Sequence, residues 1–145
     1  MGFQFSLATV LRVRKIHEER EERMLQQILF QIAQTRQAIT LADVAISRAN
    51  DLRVCDTDKS LIGRDIHDSY GKIDQLKQDH HQLVERLEKL KQLKEMQVKI
   101  YDAARQSREM LTDMHEKKRS LYDSDVSRRE QSVLDDNYIA RRGRG

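Results

Sequence analysis

The chain has 145 residues, of which 38% are hydrophobic, 35% charged and only 5% aromatic, with no tryptophan, no proline, five glycines and a formal net charge of +3. That balance excludes a thick globular core, and the shortage of breakers favours long helices whose apolar side chains form narrow seams. No apolar run approaches the roughly 20 residues of a membrane span, and the opening MGFQFSLATVLRVRK lacks the pattern of a signal peptide, so a cytoplasmic protein is expected.

Two of the three phenylalanines, Phe3 and Phe5, precede the first periodic segment. Two roles fit them: a clasp across a second helix, or insertion into a pocket on another protein, where aromatic rings give large contact area with few rotors. Gly2 and Ser6 match the short myristoylation pattern, which alone carries little weight. Ser6 is also the expected N-cap of a first helix over about residues 6–53, entered through Leu7, Val10 and Leu11. From Leu25 a seven-residue rhythm runs through Ile28, Ile32, Thr35, Ile39, Ala42, Ile46 and Ala49. Its alternating steps of three and four put these residues on one stripe, as a left-handed supercoil requires. Arg14, Glu18 and Glu21 project onto the same stripe and dilute its apolar packing.

The rhythm fails across NDLRVCDTDKSLIGRD, where Asp56, Thr57, Asp58, Ser60 and Gly63 predict a turn at about 54–60. A calcium loop starting at Asp56 is excluded, because its sixth and twelfth positions would be Leu61 and His67 instead of glycine and glutamate. Cys55, the single cysteine, excludes an internal disulfide. A second helix is expected over about 61–136, with a seam through Ile62, Ile66, Ser69, Ile73, Leu76, His80, Leu83, Leu87 and Leu90. Following the apolar residues onward gives Leu93, Gln97, Ile100, Ala104, Ser107, Leu111, Met114, Lys118 and Leu121, so two three-residue steps meet at Leu90 and predict a stammer. Residues 137–145 read as a basic tail. Equal seams on either side of one short break predict an all-α fold, a long two-helix antiparallel coiled coil forming a single hairpin. With the turn near residue 57, Leu7 is expected opposite residue 107, and the stretch after about 112 projects beyond the first helix.

Catalytic and metal motifs are missing from this pattern. There is no phosphate-binding glycine loop, nucleophile elbow or HExxH sequence. His80 and His81 are adjacent, and adjacent helical positions point about 100° apart, so they are not an i, i+4 metal pair. A thin hairpin offers little concavity for a carboxylate pair to use. A non-enzymatic protein without cofactor is therefore expected. The alternating acids and the central break argue against a basic zipper, and no specific nucleic acid is expected despite Arg141, Arg142 and Arg144.

Phe3, Phe5, Leu7, Val10, Leu11 and Arg14 resemble the amino-terminal signature of the flagellar export protein FliJ family. Arg129, Glu130, Gln131, Leu134, Asp135 and Asp136, followed by Arg141 and Arg142, resemble its carboxy-terminal pattern. The resemblance implies a stalk-like antiparallel coiled coil that associates with the hexameric ring of the flagellar export ATPase. It also implies contact with the cytoplasmic part of the export gate, help in cycling export chaperones, and peripheral association with the inner membrane through that apparatus. Carried over residue by residue, the ring-contact candidates are Phe3, Phe5, Leu7, Leu11, Arg14, Arg129, Arg141 and Arg142. The gate-contact candidates are Tyr70, Leu76 and His80, in a stretch whose spacing departs from the family and which contains Gly71. The alternative reading is a free coiled-coil scaffold or chaperone adaptor, and behind it comes nucleic-acid binding through the basic run from Ala140.

Overall fold

The computed structural model describes the backbone of residues 2–57 and 63–144, and within these the side chains of all but 53–57, 63–66 and 69. Two helices make up the fold, α1 over Ala8–Thr57 and α2 over Gly63–Gly143, with no strand among the described residues. The two helices pack against each other, so the chain is an all-α two-helix hairpin. The chain divides into two compact units, Glu21–Ile100 and Met1–Arg20 with Tyr101–Gly145.

The helix bounds differ from those read in the sequence for local reasons. The Ala8 N–H donates to the Phe5 carbonyl at 3.1 Å, closing a turn through Ser6 and Leu7. The first helical bond runs from Leu11 N–H to the Leu7 carbonyl at 2.9 Å, so Leu7 rather than Ser6 occupies the cap position. At the other end α1 continues through residues 54–57, four places of the expected turn, because neither proline nor glycine interrupts it there. The rest of that turn, 58–60, lies outside the described residues, as does Ile62. The expected basic tail is helical through Gly143, since nothing between residues 137 and 142 breaks a helix. Arg141 and Arg142 sit in its last turn, where cations oppose the negative end of the helix dipole.

Within the unit Glu21–Ile100, all eight α1 residues of the heptad stripe from Leu25 to Ala49 are buried or half-buried. They face Ile73, Leu76, His80, Leu83, Leu87 and Leu90 of α2, of which Ile73 and Leu90 are the most enclosed. Polar seam residues are satisfied locally. Buried Thr35 donates its hydroxyl to the Gln31 carbonyl at 2.8 Å. Buried Gln97 donates its amide to the Glu21 backbone carbonyl at 3.1 Å and to the Glu21 carboxylate. His80 Nε2 lies 2.7 Å from Asp43 Oδ1. Rising α1 numbers meet falling α2 numbers, Glu21 with Gln97 and Asp43 with His80, which makes the pairing antiparallel.

The expected stammer at Leu90 is absent. Leu93 and Ile100 are about half exposed, whereas Leu90, Gln97 and Ala104, seven residues apart, are all buried. Between and beyond them Tyr101, Arg108, Leu111, His115 and Tyr122 are half-buried and continue the same seven-residue repeat, with Ser107 and Thr112 half-buried beside them. The physical reason lies on α1: Glu21 and Glu18 occupy its seam and draw polar partners, so the apolar residues Leu93, Ile100, Met114 and Leu121 are left one position off the contact line.

Candidate functional site

In the unit formed by Met1–Arg20 and Tyr101–Gly145, the dominant feature is an aromatic cluster held between residues 2–6 and α2. The turn closed by the Phe5 carbonyl carries the chain back over α2 before α1 begins. Phe5 is buried, its ring edge-on to His115 with centroids 4.9 Å apart and planes at 85°. Lys118 places its ammonium 5.5 Å from the Phe5 centroid, within the range of a cation–π contact. Phe3 meets the His115 ring at 5.3 Å and the Tyr122 ring at 5.5 Å. Both phenylalanines thus clasp the second helix, one of the two roles open to them in the sequence. They meet it near 115–122, several residues further along than a turn at 57 implies, because α1 runs on to Thr57.

Seven residues before His115 on α2, the Arg108 guanidinium forks onto Glu18, with Nε donating to Oε2 at 2.6 Å and Nη2 to Oε1 at 3.2 Å. The pair is poorly exposed, 14% for the Glu18 side chain and 25% for Arg108. The Arg108 hydrogen bond holds the Glu18 carboxyl below its ordinary pKa; burial opposes this, and the charges of Arg108 and Arg105 reinforce it. Arg108 is correspondingly raised, chiefly by the same bond, with Glu109 adding to it from 4.0 Å.

Of the ring-contact candidates, Phe3, Phe5, Leu7 and Leu11 are buried or half-buried, while Arg14, Arg129, Arg141 and Arg142 are exposed. The first four therefore serve the hairpin's own packing, and the arginines are the side chains turned to solvent. Beyond Val126 every described residue of α2 is exposed, including Val133, Leu134, Tyr138 and Ile139. Arg129, Glu130, Val133 and Leu134 border an open groove on that single helix. The gate-contact candidates belong to the other unit. There Leu76 and His80 line the seam, His80 against Asp43, and only Tyr70 is outward, 47% exposed. The sequence reading missed Glu18–Arg108 and the role of His115. The register hid both: a turn at 57 sets Phe5 opposite 109 and Glu18 opposite 96, short of His115 and Arg108.

No cluster of metal-ligating side chains and no helix long and apolar enough to cross a membrane occurs among the described residues. Compared with protein families, curated proteins and solved structures, the chain matches none.

Proposed function

We propose that this chain is a non-enzymatic component of flagellar type III export that binds the export ATPase ring, promotes its assembly or activity, and links it to the cytoplasmic part of the export gate. The observation that carries the reading is the two-helix hairpin in which both terminal residue sets resembling the FliJ family, Phe3 to Arg14 and Arg129 to Arg142, belong to one compact unit. A hairpin with clasped ends and outward arginines is suited to touching the subunits of a ring unequally. Unequal contacts bias the subunits' conformations and nucleotide affinities, which couples the stalk to turnover without any residue of its own doing chemistry. Arg14, Arg129, Arg141 and Arg142 are the side chains this reading assigns to acidic ring surfaces, and Tyr70 is the one it leaves for the gate.

The test is turnover of the assembled cognate ATPase with and without substoichiometric protein. Stimulation is expected, and it should weaken when Arg141 and Arg142 are replaced by glutamate while the circular dichroism melting curve stays unchanged. Binding without any change in turnover would favour the free scaffold or chaperone adaptor.

A further inference from the structure

After Leu90, three pairs of neighbouring residues on α2, Ile100/Tyr101, Met114/His115 and Leu121/Tyr122, divide in the same way. The second member is half-buried, while the first, the fully apolar one, is 41–66% exposed. Ser107/Arg108 holds the same place in the repeat, with both members half-buried. Each set recurs every seven residues, and both border one further line, Gln97, Ala104, Leu111 and Lys118, of which all but Lys118 are buried or half-buried. The helix thus carries two candidate seams that share a line. One is occupied and made of side chains with polar tips; the other is vacant and mostly apolar. We infer that, in the unit Met1–Arg20 with Tyr101–Gly145, α2 is a two-position element that turns about its own axis between the occupied seam and a second one through Ala104, Ser107, Leu111 and Met114.

Adjacent helical positions point about 100° apart, so the exchange needs a turn of half that, roughly 50°. Contacts to residues outside the apolar stripe of α1 hold the occupied seam: the Arg108 fork on Glu18, His115 between Phe3 and Phe5, and Tyr122 beside Phe3. Lys118, on the shared line, adds its ammonium near the Phe5 ring. In the second position Met114 turns in toward Leu7 and Leu11, which are half-buried already, and Tyr101, Arg108 and His115 turn outward. The occupied seam keeps an even repeat past Leu90, whereas the second takes two three-residue steps there, through Leu87, Leu90 and Leu93, which overwinds the pair locally. Overwinding and the polar contacts thus oppose the burial of apolar surface, the balance that a bistable packing requires. A partner carboxylate that binds the outward Arg108 guanidinium shifts the balance by its preference for the second position. The inference concerns the hairpin's own packing and holds whether or not the export reading does.

The test uses the full chain with Cys55 changed to serine and one reporter thiol at a time, Met114→Cys or Tyr101→Cys, each labelled with a maleimide. With the occupied seam intact, the thiol at 114 should react faster than the thiol at 101. Removing the holding contacts together, with F3A, F5A, E18A and R108A, should invert that order while circular dichroism still reports helix. Adding S107K, which sets a charge on the second seam, should abolish the inversion. An order unchanged in the released chain overturns the inference. So do two thiols reacting as fast as in urea, which means that the second seam cannot hold the helices, and an inversion that survives S107K.

Discussion

At Glu18 and Arg108 a charge pair has been placed where a coiled coil ordinarily has leucine, and its geometry decides whether it helps. Both carboxylate oxygens are engaged by one guanidinium, and less than a third of either side chain is exposed. Such a fork is stronger than a surface ion pair, while losing one partner strands the other. Arg108→Met is expected to cost about 1–3 kcal/mol, and a double-mutant cycle with Glu18→Gln should show most of that as coupling in urea melts. The pH dependence has a definite sign. Glu18 is held below its ordinary pKa by the Arg108 bond, so the folded state releases this proton more readily than the unfolded one. The stabilisation is complete above the unfolded value, about 4.3, and fades as pH falls through the lower folded value. The difference in stability between the parent and Glu18→Gln should therefore shrink on acidification below pH 5 or so. Neither partner was marked by the sequence as a pair, since Glu18 read only as a defect in the apolar stripe and Arg108 fell between Ser107 and Leu111 on the assumed seam. What exposed them was the actual register, which apolar periodicity alone cannot set where both helices turn polar.

Along α1, hydrophobic spacing was sufficient: isoleucine and alanine at alternating three and four steps have one face, and that face is buried from Leu25 to Ala49. Along the second half of α2 the same rule was right only in part: Gln97, Ala104, Ser107 and Leu111 of its line are buried or half-buried, whereas Leu93, Ile100, Met114 and Leu121 are exposed. Buried and exposed positions make opposite predictions. Ile73→Ala removes a 2% exposed side chain from the seam and should cost about 2–4 kcal/mol. Leu93→Ala, at 51% exposure, should change stability by less than about 0.5 kcal/mol. Gly71 gives a third test of the element. It is helical with a negative φ, and a β-carbon built there meets nothing within 4 Å. Gly71→Ala should stabilise the protein by about 0.5–1 kcal/mol, read as a higher thermal midpoint.

For the molecule as a whole, packing is unevenly distributed, and amide exchange should display that distribution. The seam positions of 73–90 on α2 are all buried or half-buried, whereas every residue of 127–143 is exposed. A lone helical segment of this size is marginal in water, so amides after residue 127 should exchange far faster than those of 73–90 in dilute protein. The general architecture was accessible from composition, because a chain without proline, tryptophan or metal motifs has few ways to bury apolar surface other than helix on helix. The position of the closing clasp was not, since it depends on how far α1 continues before the chain reverses. That clasp also has a bearing on biosynthesis. Phe3 is added 119 residues before its ring partner Tyr122. At about 5–20 residues per second, the nascent phenylalanines wait on the order of ten seconds uncovered, an interval in which a chaperone that prefers exposed aromatics would find this chain.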